Sequence, residues 1–149
     1  NTISDLVPLA PKLTMGAPPE FIVLPDGMTG LEAFYGLRFN EVKALDPGLL
    51  YQSIQENKVD VIFAFTTDAR IKPYHLRVLQ DNQHFFPPYY AVPVIREDTL
   101  KKYPEIETIL APLSLALDEK TIQYLNSQVD IQKKSPEEVA RVFLAKLRY

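Results

Sequence analysis

Val59-Asp60-Val61-Ile62-Phe63-Ala64-Phe65-Thr66-Thr67-Asp68 is the stretch that decides the fold class. Its first seven residues are nearly all apolar, and rich in branched and aromatic side chains. That composition suits a strand buried on both faces, as in a parallel sheet. Two small hydroxyls and an acid follow at once, where an open α/β sheet presents its ligand site. The run 59–65 is therefore expected to be a central strand, with Thr66, Thr67 and Asp68 at its C-terminal end.

Helix and strand signals alternate around this run. Ser4 is placed to cap a short first helix that Pro8 and Pro11 keep brief. Thr29-Gly30-Leu31-Glu32 reads as a capping box, with Leu31, Phe34, Tyr35 and Leu37 as the apolar face behind it. Asp46-Pro47 is an N-cap followed by proline at the first helical position. Asp98, Asp118 and Ser135-Pro136-Glu137-Glu138 open three further helices, the last with Val139, Val142, Phe143 and Leu147 as its stripe. Pro104 interrupts or restarts the helix opened at Asp98. Leu13-Thr14-Met15-Gly16, Glu41-Val42-Lys43-Ala44-Leu45, Leu76-Arg77-Val78-Leu79 and Ala91-Val92-Pro93-Val94-Ile95 are shorter strand candidates, the last demoted to an edge by its proline. The alternation predicts an α/β fold with a mainly parallel sheet flanked by helices. An internal boundary falls at Phe85-Phe86-Pro87-Pro88-Tyr89-Tyr90, after which the chain turns mostly helical.

Composition narrows the function classes. With 149 residues, 46% of them hydrophobic and 23% charged, the chain has enough apolar material for a real core. A net charge of −3 with interspersed signs argues against a nucleic-acid or anionic-lipid surface. The absence of cysteine excludes disulfides, thiolate metal sites and a cysteine nucleophile. No apolar run reaches the ~20 residues of a membrane helix. The first residues lack the basic start and apolar core of a signal peptide, which fits a cytosolic chain or the interior of a longer one.

No catalytic set assembles. His75 and His84 stand nine apart without metal-ligand spacing, no serine sits in a nucleophile elbow, and Gly27-Met28-Thr29-Gly30 lacks phosphate-loop spacing. Glu105 and Glu107, beside Lys101 and Lys102, read as a solvated helix face. The residues assign no cofactor, no metal and no catalytic group. Two segments carry more. Phe65 would stand at the mouth of the crevice at its strand's end, with Thr66 and Thr67 as hydrogen-bond donors; a capped strand-to-helix turn with a core phenylalanine is the other reading. Phe85-Phe86-Pro87-Pro88-Tyr89-Tyr90 sets four aromatics around two prolines, a stiff segment whose electron-rich faces attract cations. Core packing at a crossover accounts for the same residues.

Motif order adds a resemblance. Ser4-Asp5-Leu6, Met15-Gly16-Ala17-Pro18-Pro19-Glu20-Phe21, Asp26-Gly27, Gly30-Leu31, Tyr35-Gly36-Leu37 and Leu45-Asp46-Pro47-Gly48-Leu49-Leu50-Tyr51 come first. Val59-Asp60-Val61, Thr66-Thr67-Asp68-Ala69-Arg70-Ile71 and Phe85-Phe86-Pro87-Pro88-Tyr89 follow. Together, over essentially the whole chain, they resemble the substrate-binding proteins of ABC transporters for glycine betaine, choline, carnitine and related osmoprotectants. The resemblance implies a periplasmic-binding-protein-like, two-lobed clamp that is not an enzyme. Residues 1–85 would be its second lobe, and residues 86–149 the hinge return and C-terminal segment of the first. The remainder of the first lobe would precede Asn1, and the isolated fragment is expected to associate with a second copy.

The resemblance also implies a small quaternary-amine ligand, an ABC permease in the membrane as partner, and an extracytoplasmic or periplasmic location. The aromatic before the Thr-Thr-Asp motif falls on Phe65, where the family commonly has tyrosine. Tyr89 falls on a cage wall near the hinge, and Thr66 lies beside the first. Leu24 falls where many betaine binders place an arginine for the ligand carboxylate, a departure that leans toward choline or another cation lacking an acid. An α/β regulatory or interaction domain that kept the fold without the ligand is the alternative, permitted by the changes at Phe65 and Leu24.

Overall fold

The computed structural model describes residues 1–147, which fall into two units. Unit 1 comprises Asn1–Phe65 and Ile71–Pro88; unit 2 comprises Thr66–Arg70 and the residues from Tyr89 onward.

Unit 1 is a small α/β layer structure. Helix α1 (Ile3–Leu6) and a 3₁₀ turn (Ala10–Lys12) lead into strand β1 (Thr14–Ala17). Helices α2 (Pro19–Val23) and α3 (Met28–Tyr35), strand β2 (Glu41–Ala44), helix α4 (Pro47–Gln55) and strand β3 (Val61–Ile62) follow. The three strands are parallel in the order β2-β1-β3, with Met15 paired to Val42 on one side and to Val61 on the other.

Side-chain alternation along β1 and β3 gives the sheet two different faces. Met15 and Ala17 point into a core with Ile3, Phe21, Met28, Leu31, Tyr35 and Leu37, joined by Phe63 from beyond β3. Gly16 points the other way. A Cβ there would lie 3.1–3.3 Å from Leu45, Leu50 and Val59, whose side chains fill the space. Beside them on this face, Leu50, Tyr51 and Ile71 gather Leu45, Ile62 and Ala64. Each large side chain so buried stabilises the fold by about 1.5–3 kcal/mol.

Unit 2 contains α5 (Glu97–Lys102), α6 (Glu105–Ala116), α7 (Glu119–Asp130) and α8 (Pro136–Lys146). α5 packs on α6 and α7 on α8. Among its described residues only Ala69 and Val139 are buried, while Val92, Val94 and Leu115 lie exposed.

The parallel α/β class agrees with the sequence reading, but the centre of the sheet does not. β1 is central, and the run 59–65 contributes only the two-residue edge strand β3. Bonds from Asp60 N to the Thr14 carbonyl (2.8 Å) and from Phe63 N to the Gly16 carbonyl (3.1 Å) extend its pairing on one side only. Val59 is buried, whereas residues 61–64 are half-buried and Phe65 is exposed. The apolar run reflects two packed faces, not two strand neighbours.

Two other strand candidates fail. Residues 76–79 form no ladder, and pairing there is limited to a parallel bridge between Thr2 and Gln80. Residues 91–95 are irregular; Pro93 supplies no N–H, and most of their side chains face solvent. Three caps also move. Thr2, not Ser4, caps α1 through a reciprocal pair with Asp5. Gly27 precedes α3, because the Thr29 hydroxyl donates to the Ile22 carbonyl (3.0 Å) instead of capping. Arg96, not Asp98, precedes α5. Asp46, Asp118 and Ser135 cap as read, accepting from the amides of Gly48, Thr121 and Glu138. Pro104 separates α5 from α6.

Candidate ligand-binding site

In unit 1 a file of aromatic rings runs from the core to the surface. Phe21, buried on α2, stacks on Phe63 with ring centroids 3.9 Å apart. Phe63 meets Phe65 edge-on at 5.3 Å. Phe65 ends the file with 59% of its surface exposed. Its ring is therefore held by neighbours while a face stays available, an arrangement that suits recognition of a cation or an apolar group. Leu24, also in unit 1, ends α2 and is 45% exposed.

In unit 2 the residues following Phe65 form a braced loop. Asp68 receives Arg70 through Nε (3.0 Å) and Nη2 (2.7 Å), and the Arg70 amide as well. This bidentate pairing neutralises both charges. Thr66 is exposed, and its hydroxyl donates to Glu119 of α7 (2.8 Å). Tyr89, directly after Pro87-Pro88, is 59% exposed. The four residues singled out in the sequence do not form one cluster within either unit: Phe65 and Leu24 belong to unit 1, Thr66 and Tyr89 to unit 2.

The aromatic–proline segment starts from an anchored base in unit 1. The Asp81 carboxylate accepts from the amides of Phe85 (3.1 Å) and Phe86 (2.8 Å) and from the Tyr35 hydroxyl. Burial alone would raise the Asp81 pKa, but the donors Tyr35, Phe86 and Phe85, with the charge of His84, bring it below the ordinary carboxylate value. Burial, then the same carboxylate, raises the Tyr35 phenol above its ordinary value. Phe85 and Phe86 stay half-buried and pack on the core of unit 1, with Phe85 5.4 Å from Phe34.

Sequence reasoning missed the α7 residues Glu119, Gln123 and Asn126, which hold the loop after Phe65. It also missed Tyr35–Asp81. The spacing 119, 123, 126 was visible as a polar stripe on one helix face, but nothing local says what that stripe meets. Among the described residues no group of three His, Asp or Glu is placed to hold a metal, and no helix is long and apolar enough to cross a membrane. A groove of about 70 Å³ between α7 and α8 is lined by Tyr124, Val139 and Phe143, with Lys134, Glu138 and Lys146 as its charged residues.

Comparison with known proteins follows the same direction. Residues 1–146 match the family described as the substrate-binding domain of an ABC-type glycine betaine transport system. The chain is 40% identical over 128 residues to a glycine-betaine-binding protein of Pseudomonas aeruginosa, covering 85% of the chain and 41% of that relative. It is 40% identical over 147 residues to an ergothioneine transport permease/ergothioneine-binding protein of Helicobacter pylori, covering 99% of the chain and 27% of that relative. A crystal structure described as a glycine betaine/carnitine/choline ABC transporter superposes with a TM-score of 0.82 at 35% identity, covering 100% of this chain and 55% of that one. The chain thus spans about half the length, or less, of these proteins.

Proposed function

Because the chain belongs to the family of substrate-binding domains of ABC-type glycine betaine transport systems, we propose that it is part of the extracytoplasmic component that delivers a small quaternary amine to a membrane permease. The family is one of transport proteins, not of enzymes, in keeping with the lack of a nucleophile–base set in the sequence. The observation that carries the reading is the Phe21–Phe63–Phe65 file, which ends in an exposed, buttressed ring.

A trimethylammonium head has no N–H to donate, so aromatic faces and closed walls are what hold it. In this reading Phe65 and Tyr89 supply such faces, Thr66 a polar contact and Leu24 an apolar wall. Residues 1–85 act as the second lobe, and residues 86–149 as the hinge return and C-terminal part of the first. The exposed Val92, Val94 and Leu115 suit packing against the rest of that first lobe. Ligand contacts from both lobes would stabilise the closed form that the permease receives.

Calorimetric titration of choline, glycine betaine, carnitine and proline into the protein with both lobes tests this. Saturable binding of a quaternary amine in preference to proline is expected. Failure of all three quaternary amines to bind overturns it.

A further inference from the structure

α7 is a two-faced helix within unit 2. Tyr124, Leu125 and Gln128 turn toward α8, where they line the groove with Val139, Val142 and Phe143. Glu119, Gln123 and Asn126, spaced i, i+4 and i+7, turn toward the loop beginning at Thr66. Gln123 Nε2 donates to the carbonyls of Thr66 (3.2 Å) and, at the long limit, Asp68 (3.5 Å). Asn126 Nδ2 donates to the carbonyl of Thr67 (3.1 Å). Glu119 differs from both, because its carboxylate oxygen accepts the Thr66 hydroxyl proton (2.8 Å).

That bond decides the polarity of Thr66. A threonine hydroxyl has one proton and two lone pairs. With the proton committed to Glu119, the oxygen offers acceptor sites to anything arriving at the exposed side chain. An acceptor favours a hydroxyl donor or the electron-poor methyl groups of an ammonium head, and it repels a carboxylate. The neighbouring charges leave this bias in place, since Asp68 and Arg70 neutralise each other within the same loop. Glu119 itself is exposed, so water and salt screen its charge and its effect runs through the Thr66 proton.

We propose that Glu119 is a specificity-determining residue: by taking the Thr66 proton it biases the site toward a quaternary amine bearing a hydroxyl and against one bearing a carboxylate. Glu119 acts through Thr66 and is a positioning residue that need not touch the ligand. The inference rests on the ligand class proposed above.

The test measures dissociation constants for choline and glycine betaine by calorimetry, using the protein with both lobes. In Glu119→Ala the Thr66 proton is released to donate, and the ratio should shift toward betaine by roughly fivefold, the worth of one ordinary hydrogen bond. Glu119→Gln retains an acceptor oxygen and should keep the wild-type ratio. In a Thr66→Val background Glu119→Ala should leave the ratio unchanged, because the group through which it acts is gone. Glu119 is exposed in the first turn of α7, so alanine is compatible with the helix. An unmoved ratio in Glu119→Ala overturns the inference alone, as does an equal shift in the Thr66→Val background. Wild-type protein that binds no quaternary amine overturns the proposed function with it.

Discussion

The Tyr35 hydroxyl donates to the Asp81 carboxylate while accepting the amide of Gln83 (2.8 Å). Asp81 in turn holds the Phe85 and Phe86 amides, so one carboxylate ties α3 to the start of the aromatic–proline segment. Tyr35→Phe should cost about 1 kcal/mol, because Asp81 keeps its two backbone donors. Asp81→Ala should cost about 2–3 kcal/mol, since it strands the buried phenol and both amides. Asp81 titrates below its ordinary value in the folded chain. Its contribution is therefore complete above the unfolded pKa near ~3.9 and lost as pH falls through the lower folded value. Urea unfolding across the acid range checks this; the gap between wild type and Asp81→Asn should narrow below about pH 4.

Two glycines of α3 and its approach are fixed by steric contact. A Cβ on Gly30 would lie 1.8 Å from the Pro25 carbonyl oxygen and 3.0 Å from the Phe85 ring; one on Gly27 would lie 2.0 Å from the Phe21 carbonyl oxygen. Backbone cannot yield as a flexible side chain can, so Gly30→Ala should cost about 3 kcal/mol or more. Gly36, after α3, has φ +72° but open space around it. Gly36→Ala should cost only about 1 kcal/mol. Urea midpoints that rank Gly36→Ala as the more damaging would contradict this.

Local chemistry made half of this fold readable. Asp46-Pro47, Asp118 and Ser135-Pro136 each carry their cap and first turn within four residues, and α4, α7 and α8 begin there. The sheet centre was not readable in that way. β1 looks weak because it contains Gly16, and what makes it central is the packing of Leu45, Leu50 and Val59 from elsewhere in the chain. The place of Phe65 after an apolar run left a crevice-mouth ring and a core phenylalanine both open, and its brace through Phe63 to Phe21 required the fold. Glu119, Gln123 and Asn126 stayed hidden because a polar helical stripe looks solvated until its partner is known.

Unit 2 leaves apolar side chains in water. Val94 is 91% exposed and Leu115 86%, and Val92 and Tyr90, close to Val94 in the chain, are exposed as well. The 149-residue chain alone should therefore associate with a second copy, measurable as a concentration-dependent mass in sedimentation equilibrium. A monodisperse monomer whose residues beyond Tyr90 resist hydrogen exchange would contradict it.

Phe65 and Tyr89 should matter more for ligand than for stability. Both are 59% exposed, so truncation forfeits little burial. In protein with both lobes, Phe65→Ala and Tyr89→Ala should each weaken quaternary-amine binding by about 1–2 kcal/mol. Phe65→Tyr keeps the ring face and should bind near wild-type strength. Lost stability with unchanged affinity would make these residues structural.

Leu24 bears on which quaternary amine is preferred. It ends α2 with its amide donating to the Glu20 carbonyl (3.2 Å), its own carbonyl accepting from Gly27 (3.0 Å), and its side chain 45% exposed. An aliphatic side chain offers no donor, and burying a carboxylate without one is costly. A trimethylammonium head needs only aromatic faces and walls. Choline should therefore bind the protein with both lobes at least as well as glycine betaine. Leu24→Arg introduces a guanidinium capable of a bidentate bond to a carboxylate, and should raise betaine affinity relative to choline by roughly tenfold. The ratio of dissociation constants is the quantity to measure, because a general loss of stability cancels from it. This variant also separates two effects on the same ratio. Leu24→Arg adds a partner for the carboxylate, so its shift should persist in the Thr66→Val background where Glu119→Ala is silent. A wild-type preference for betaine, with a ratio that Leu24→Arg leaves unmoved, would remove Leu24 from the site.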